Sequence, residues 1–380
     1  MGITLGFVGC GSFGNCFIPI YKKHPDVDRI VLCDLKKELL EERARQYGIP
    51  DTSDSLETLL ARRGVDAVAI YTQHWLHAEQ AIMAMEAGKH VTTAVPAAYS
   101  IDQCRRLVET VRKTGKVYSV QETSVYYPGV AYARQQNARG AFGRITYSEG
   151  RYFHDWSHGL EEVYRRRYGP GWEEHAGEPP MNYITHSTSG IMSVTGAHAL
   201  EVSCLGYSLP GDTVYDARKP HGNNQCNQVA LLKMSDGSIA RICEFRRIAH
   251  TGEVAFSYFG TEGSLQCDPY QWWDLHGSRP VELTRLHGPL PDELVKFVFG
   301  GHQGSHPYLV HDFVSSVVNG TVPEVNVWAS VRHNLPGLVA VESAKQGGTW
   351  MAVPDFGDPP ALPGQKSGGE AVDDGWFQKH

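Results

Sequence analysis

The sequence predicts an α/β fold in two domains: a doubly wound parallel sheet, then an α+β domain with a large, mostly antiparallel open sheet. Short apolar strands alternate with amphipathic helices in the first third of the chain, and long β-rich segments follow. The predicted boundaries are 1–125, 126–354 and a Gly- and Pro-rich tail at 355–380. A chain of 380 residues is long enough for two domains.

The first domain is predicted from five strands that alternate with helices. The strands are predicted in ITLGFV, RIVLCD, VDAVAIYT, HVTTAV and KVYSVQET, and the helices in FIPIYKKHP, KKELLEERARQYG, HAEQAIMAMEAG and SIDQCRRLVETVRKTG. A capping box, Ser100 with Gln103, opens the last of these helices. This alternation is typical of a parallel sheet with helices on both faces.

The second domain is predicted from longer β-rich segments. They are ITYSEGRYFHD, QVALLKMSDGSIARICEFRRI and EVAFSYFGTEGSLQCD, and the helices are predicted in VAYARQQNARGAFG, HPYLVHDFVSSVVNG and VWASVRHNLPGLVAVESAKQGG. The second segment is a hairpin signal, because Asp236-Gly237 separates two runs of β-forming residues. These segments indicate a largely antiparallel sheet.

Composition narrows the class of protein. A net charge of −7 without a basic block argues against a nucleic-acid partner. No apolar run approaches the roughly 20 residues of a membrane span, and the first residues lack the features of a signal peptide, so we expect a cytoplasmic protein. The eight cysteines are scattered without a CxxC pair, and we interpret them as reduced and structural.

A dinucleotide site is predicted at the first strand–helix turn. In GFVGCGSFG, Gly9, Gly11 and Gly14 form G-x-G-x-x-G around Ser12 and Phe13. The glycines permit a tight turn and let the backbone approach a pyrophosphate, which defines a Rossmann site.

Asp34 ends the second strand, 20 residues after Gly14. Its carboxylate accepts hydrogen bonds from ribose hydroxyls and repels a 2′-phosphate, so NAD is favoured over NADP. Lys36 and Lys37 are interpreted as solvated surface, the alternative being partial compensation of a phosphate.

With these motifs the chain resembles the Gfo/Idh/MocA oxidoreductase family. The resemblance covers nearly the whole chain: the glycine fingerprint, TQHWLHAEQA, GKHV before a proline, AFGRI and FGTEGSL. Members typically carry Glu-Lys-Pro where this chain has Ala94-Val95-Pro96, and the resemblance implies that their lysine handles the proton of the substrate hydroxyl. Valine has no ionisable group, so that proton must pass to another residue, or the net reaction must differ from alcohol oxidation.

A narrower resemblance is to the branch of NAD-dependent glycosidases that includes α-N-acetylgalactosaminidases. That branch has Glu-Val-Pro-Ala-Ala and Tyr-Pro-Thr-His; this chain has Val95-Pro96-Ala97-Ala98 and Tyr183-Ile184-Thr185-His186, with Ala94 and Ile184 as departures. The resemblance implies oxidation of the sugar at C3, elimination of the aglycone, addition of water and return of the hydride. The cofactor is recycled, and ordinary paired carboxylates are not needed.

His186 is predicted as the catalytic base and Tyr183 as its partner. His186 lies in a polar stretch before an apolar helix, where a histidine can titrate near neutral pH. The alternatives are a histidine that caps this helix and a tyrosine that forms a half-buried wall.

Further residues are predicted around the substrate and the cofactor. Substrate contacts are predicted for Glu122, His154, Asp155 and His306, and cofactor contacts for Gly9, Gly11, Ser12, Phe13, Gly14, Asp34, Thr72, His74, His77, Val95, Pro96 and Glu122. The alternative for Asp155 is an exposed strand end. The alternative for Glu122 is a domain-crossover salt bridge, and that for His306 is a helix cap.

The predicted function is NAD-dependent hydride transfer on a sugar or glycoside, with redox-assisted glycoside cleavage as the favoured net reaction. The alternatives are a simple sugar dehydrogenase with a non-lysine base, and a non-catalytic NAD- and sugar-binding regulator. No metal is predicted, because no local ligand pattern requires one. The basic run Arg165-Arg166-Arg167 is interpreted as a solvated face, or alternatively as a site for an anionic substituent. The family resemblance implies a homodimer or homotetramer.

Overall fold

The computed structural model describes residues 2–267, 269–283 and 289–360. The strands are β1 (Ile3–Val8), β2 (Val27–Cys33), β3 (Thr52–Ser53), β4 (Ala67–Ile70), β5 (His90–Thr93), β6 (Tyr118–Val120), β7 (Ile145–Phe153), β8 (Ala199–Tyr207), β9 (Asn227–Met234), β10 (Ile239–Phe245), β11 (Glu253–Gly260), β12 (Gly263–Gln266), β13 (Gln271–Asp274), β14 (Gly277–Pro280) and β15 (Met351–Ala352). The helices are α1 (Ile18–Lys23), α2 (Lys37–Tyr47), α3 (Leu56–Leu60), α4 (His77–Glu86), α5 (Ile101–Thr114), α6 (Pro128–Ala138), α7 (Leu160–Tyr168), α8 (Thr185–Thr195), α9 (Asp292–Val295), α10 (His306–Asn319) and α11 (Val327–Lys345).

The chain divides into two compact units. The first comprises Met1–Tyr126, Arg285–Val331 and Phe356–His380, and the second comprises Tyr127–Thr284 and Arg332–Asp355. The predicted tail falls partly at 361–380, which lies outside the described residues.

The first unit contains a parallel sheet with the strand order β3-β2-β1-β4-β5-β6. This order reverses direction between β1 and β4, as in doubly wound nucleotide-binding folds. The sequence pattern predicted every strand except β3, whose two residues are too few to show a period. The predicted capping box at α5 is present, since Ser100 Oγ accepts from the Gln103 amide at 3.1 Å and Gln103 Oε1 accepts from the Tyr99 amide at 2.8 Å.

Helix α10 packs in the first unit although it follows the whole second sheet in sequence. Val310, Phe313 and Val314 are fully buried in the same apolar cluster as Leu5 and Phe7 of β1. Their spacing of three and four residues places them on one helix face. The sequence boundaries put this segment in the second domain, because local periodicity does not show which core a helix face covers.

The second unit contains an open sheet with the order β14-β13-β12-β11-β7-β10-β9-β8-β15. The described neighbours are antiparallel except β7 and β10, which pair in parallel. The hairpin predicted at Asp236-Gly237 joins β9 to β10, with Gly237 at a φ of 85°. The predicted fold class, a parallel sheet plus a mostly antiparallel one, is therefore confirmed.

Helix α8 lies against one face of this second sheet. Gly190 has no room for a side chain, because an added Cβ would lie 2.5 Å from the Phe256 ring. The Tyr258 hydroxyl donates to the Gly190 carbonyl oxygen at 2.9 Å. These contacts hold the middle of α8 close to the strands, and His186 lies in the first turn of the same helix. Within the described part of the chain, no helix combines the length and apolarity that a bilayer crossing requires.

Candidate functional site

The glycine loop after β1 has one closed side and one open side. A Cβ on Gly9 (φ +92°) would lie 2.6 Å from the Tyr71 carbonyl group, and one on Gly14 would lie 2.1 Å from the Gly9 carbonyl oxygen. A Cβ on Gly11 would meet no atom within 4 Å. The open space at Gly11 is the place where a backbone can approach a pyrophosphate, so the loop fits a dinucleotide.

Asp34 connects the end of β2 to this loop. Its Oδ2 accepts a hydrogen bond from the Cys10 amide at 2.8 Å, and its Oδ1 accepts one from the Lys36 amide at 2.8 Å. The carboxylate is only partly buried, and each oxygen keeps a further lone pair for a ribose hydroxyl. Lys36 and Lys37 are exposed on the solvent side.

The residues between the glycines have different environments. Ser12 is exposed, whereas the Phe13 ring contacts Phe17 at a centroid distance of 5.2 Å. A 3₁₀ turn, Gly14–Cys16, follows and leads into the short α1. Phe13 is therefore an aromatic wall of the loop, while Ser12 is accessible.

The loops after β4 and β5 are joined by His77. Its Nδ1 lies 3.0 Å from the Pro96 carbonyl oxygen, and its Nε2 lies 3.2 Å from the Thr72 carbonyl oxygen. The ring is 1% exposed. His77 thus holds the backbone of two predicted cofactor-binding segments together, which is an indirect way of shaping a cofactor pocket.

His74 and Glu122 are both buried near the ends of their strands. The His74 ring contacts Tyr99 at 5.2 Å, and Glu122 Oε1 accepts from the Ser124 amide at 3.0 Å. The Val95-Pro96 peptide bond is cis. Val95 is buried and purely aliphatic, so this loop offers no proton carrier at position 95.

Two histidines stand beside the glycine loop. His302 Nδ1 lies 3.0 Å from His306 Nε2, and the ring of Phe13 contacts both, at 5.7 and 6.0 Å. Burial, followed by the charge of His302, lowers the pKa of His306 to about 3, so His306 is neutral at physiological pH. His302 and Gln303 have φ values of 50° and 53°, which are uncommon outside glycine.

In the second unit, four aromatic side chains form a cluster that we call the ring cluster: Tyr152, His154, Tyr183 and His186. The His186 ring lies 5.4 Å from Tyr183 and 5.3 Å from Tyr152, and Tyr183 lies 6.3 Å from Tyr152. The Tyr152 hydroxyl oxygen is 2.6 Å from His154 Nδ1. The structure thus brings three predicted site residues together around one tyrosine.

Two arginines, Arg246 and Arg167, carry positive charge near the ring cluster. The Arg246 guanidinium lies 4.9 Å from the Tyr152 ring centroid. Burial, followed by the charges of Arg246 and Arg167, lowers the pKa of His154 to about 3. His154 is therefore neutral near pH 7 and can exchange a hydrogen bond with Tyr152 without carrying charge.

A buried ion pair contacts the turn of α8 that carries His186. Arg246 donates to Glu244 Oε2 at 2.8 Å, and the Ser187 hydroxyl donates to the other oxygen of the same carboxylate. Glu244 is fully buried, and burial raises its pKa while Arg246 opposes that rise. Because Ser187 follows His186 in α8, this network fixes the turn that carries the histidine.

Asp155 is engaged by the protein itself. Its Oδ1 accepts from the Ser157 amide at 2.9 Å and lies 2.8 Å from His158 Nδ1, and its Oδ2 accepts from the amides of Ile248 and Ala249 at 2.7 and 3.0 Å. These bonds lower the pKa of Asp155 against the effect of burial. Through these hydrogen bonds Asp155 fixes the turn that follows His154.

Tyr152, Glu244 and Arg246, which form or contact the ring cluster and its supporting ion pair, were not predicted from the sequence. A signal for Tyr152 was present, because residues two apart on a strand share a face and His154 had already been selected. No comparable local signal marks the Glu244–Arg246 pair. Among the described residues, no group of three or more His, Cys, Asp or Glu side chains is arranged to hold a metal.

The order of the parallel sheet, the glycine loop and Asp34 define the first unit as a Rossmann-type NAD-binding domain. Residues 3–122 match the Gfo/Idh/MocA family, described as an oxidoreductase family with an NAD-binding Rossmann fold. The match identifies residues 3–122 as a domain of the type found in this family, and the predictions of an NAD-dependent enzyme and of NAD as its cofactor are confirmed.

Relatives and solved structures agree with this assignment. A glycosyl hydrolase family 109 protein of Saccharopolyspora erythraea is 22% identical over 93% of this chain and 83% of its own length. An α-N-acetylgalactosaminidase of Bacteroides fragilis is 28% identical, and the matched region covers 52% of this chain and 49% of that protein. The fold is that of levoglucosan dehydrogenase, solved in complex with NADH and levoglucosan, with a TM-score of 0.77, 22% identity and coverage of 93% of this chain and 100% of the other.

Proposed function

We propose that this protein cleaves glycosides by a redox-neutral sequence: oxidation of the sugar at C3, elimination of the aglycone, addition of water and reduction. The ring cluster is the observation that carries the proposal. It groups two histidines and two tyrosines in the second unit, while the loop at Val95 in the first unit has no ionisable side chain. The names of the two glycosidase relatives point in the same direction.

The first unit would hold the cofactor through the open side of the glycine loop and through Asp34. Bound NAD supplies a reversible hydride acceptor for the C3 carbinol. Thr72, His74, His77, Val95, Pro96 and Glu122 would shape the pocket at the ends of β4, β5 and β6. Because Val95 supplies no proton carrier there, the protons must be handled elsewhere in the protein.

His186 would accept the proton of the C3 hydroxyl, with the Tyr183 ring in edge-to-face contact at 5.4 Å. The C3 ketone then acidifies the proton on C2, so a weak base suffices to remove it. Contacts with sugar hydroxyls are proposed for His154 in the second unit and for His306 and Glu122 in the first, and Asp155 would position the turn beside His154. This assignment uses the neutral state in which burial holds His154 and His306.

The second candidate is a simple sugar dehydrogenase. Oxidation of an alcohol needs a single base beside the hydride acceptor, and His186 alone meets that need. The two candidates differ in what accumulates, since a dehydrogenase leaves reduced cofactor and cleavage does not.

The test is to incubate the purified protein with methyl and para-nitrophenyl glycosides of N-acetylgalactosamine and glucose, without added cofactor. Cleavage predicts repeated release of aglycone while NADH stays constant. Stoichiometric NADH with no aglycone would exclude cleavage and support the dehydrogenase.

His186→Ala tests the catalytic assignment. We expect turnover to fall at least about 100-fold, the usual contribution of a positioned base. His276→Asn, at an exposed turn between β13 and β14, serves as the control. Unchanged turnover in His186→Ala would show that the base lies elsewhere, and no turnover by the unaltered protein on any sugar would favour a regulator.

We also propose a cytoplasmic homodimer or homotetramer. The cysteines of the described residues are all free, which fits a reducing compartment. Light scattering of the purified protein measures the assembly, and a monomer at micromolar concentration would contradict it.

A further inference from the structure

We propose that Tyr152 is a third catalytic residue, which donates a proton to the oxygen of the departing aglycone, with His154 as its hydrogen-bonding partner. This inference rests on the proposed function. It assigns a proton donor to the oxygen of the departing aglycone, a role that has not been given to His186 or Tyr183.

Tyr152 lies on the face of the second sheet that α8 covers. Gly150 and Tyr152 are two residues apart on β7 and therefore face the same side of the sheet, and His154 directly follows the last residue of this strand. That side is the one against which α8 packs, and it brings the Tyr152 ring within 5.3 Å of His186. As whole residues, Tyr152 and His154 are only partly buried. Burial raises the pKa of the Tyr152 hydroxyl, and the charge of Arg246 opposes that rise.

A hydrogen bond joins the Tyr152 hydroxyl to the His154 ring. At 2.6 Å, the oxygen–nitrogen distance is short for a neutral pair. A neutral imidazole that carries its proton on Nδ1 donates to the phenol oxygen, and the phenol proton is then free to point at a substrate. Burial keeps His154 neutral, which is the state that this arrangement needs.

A positive charge lies beside the Tyr152 ring. Loss of the phenol proton leaves a tyrosinate, and the Arg246 guanidinium lies 4.9 Å from the centre of that ring. Glu244 holds Arg246 in place through a 2.8 Å bond. A fixed cation beside a developing anion lowers the barrier to proton donation.

The elimination conserves protons and electron pairs. A base removes the C2 proton, the electron pair of that bond forms the C1–C2 double bond, and the C1–O bond breaks with its pair on the aglycone oxygen. Tyr152 gives its proton to that oxygen and becomes a tyrosinate. In the return step a water molecule adds to C1 and gives a proton to Tyr152, while C2 regains a proton from the base.

Tyr152→Phe removes the hydroxyl alone and keeps the ring contacts with His186 and Arg246. An acid that protonates a leaving group matters most for poor leaving groups. For methyl glycosides we expect the release rate to fall about 100-fold or more, the usual contribution of a general acid. For para-nitrophenyl glycosides, whose aglycone leaves without protonation, we expect less than about a threefold change.

Exchange of the C2 proton with deuterated solvent reports the earlier steps and should stay near the unaltered rate. His154→Gln should show the same dependence on the leaving group, with a smaller loss. Tyr147→Phe is the matched control: Tyr147 lies on the opposite face of β7, and its hydroxyl donates to Glu149 at 2.8 Å. It should behave like the unaltered protein.

An equal loss on both aglycones, or no loss on either, would overturn the role of Tyr152 while leaving glycoside cleavage in place. Failure of the unaltered protein to release any aglycone would overturn the proposed function and this inference together. The two failures are therefore distinguished by the unaltered protein itself.

Discussion

Gly150 of β7 lies directly beneath the carbonyl oxygen of Ser187 in α8: a Cβ on Gly150 would be 2.1 Å from that oxygen. The helix that carries His186 therefore packs against the backbone of β7 at Gly150, where no side chain intervenes. An alanine at position 150 must push the first turn of α8 away from the sheet.

We expect Gly150→Ala to lower the free energy of unfolding by about 2–3 kcal/mol, because overpacking forces the backbone to shift. Gly252→Ala is the matched control, since its Cβ would meet only the Phe153 carbonyl oxygen at 3.7 Å. It should change stability by less than about 0.5 kcal/mol. Denaturant titration measures both variants, and equal stabilities would contradict the close approach of α8 to β7.

Asp34→Ser should weaken NADH binding and reduce the preference over NADPH. The carboxylate holds the Cys10 amide at 2.8 Å and is available to the ribose, and charged hydrogen bonds contribute about 1.5–3 kcal/mol. We therefore expect the dissociation constant for NADH to rise about tenfold or more.

Fluorescence titration with both cofactors measures this change. Asp28→Asn, at the opposite end of β2 and exposed, is the control and should bind NADH normally. An unchanged ratio of the two dissociation constants in Asp34→Ser would show that Asp34 does not select the cofactor.

Phe313→Ala should destabilise the first unit. Phe313 is fully buried in the cluster that also contains β1 residues, and truncation of a buried phenylalanine costs about 3–5 kcal/mol. Val318→Ala, on the same helix but 42% exposed, should cost less than about 0.5 kcal/mol. Thermal unfolding with and without NADH measures both, and similar midpoints would place α10 outside the core.

Stability should fall as the pH drops from about 6.5 toward 4, and buried histidines contribute to that fall. Burial, followed by the charge of His311, lowers the pKa of His24 to about 4. A histidine whose pKa is lower in the folded than in the unfolded protein stabilises the folded state, and this contribution is complete above the unfolded pKa. As the pH falls below that value, the unfolded chain binds a proton that the folded protein does not, and the contribution is lost.

His24→Asn should therefore flatten the dependence of unfolding free energy on pH across this interval, whatever its effect at pH 7. His276→Asn, at an exposed turn, should leave the slope unchanged. A slope that is identical in His24→Asn and the unaltered protein would show that His24 does not contribute.

The candidate cofactor loop could be predicted from the sequence because its residues are close along the chain. Gly9, Gly11 and Gly14 form a fixed pattern, and Asp34 follows at a fixed distance, so local spacing suffices. The ring cluster was only partly accessible. His154, Tyr183 and His186 were selected, but their meeting around Tyr152 depends on α8 packing on β7, a contact between segments more than 30 residues apart.

The position of α10 was not accessible for a related reason. Its apolar face is visible in the sequence, but the pattern is the same whichever core it covers. The pairing of Glu244 with Arg246 also depends on burial, because two oppositely charged residues two apart at the end of a strand are equally typical of an exposed edge. Long-range packing decides both cases.

The burial of Val310, Phe313 and Val314 against β1 has a practical consequence for dissecting this protein. An expression fragment that stops at residue 126 would lack these side chains and expose the apolar surface that they cover, and such surfaces drive aggregation. A soluble cofactor-binding module must instead be built by excising the middle of the chain and splicing residues 289–331 back through a linker. Any chimera that exchanges the second sheet between relatives meets the same requirement.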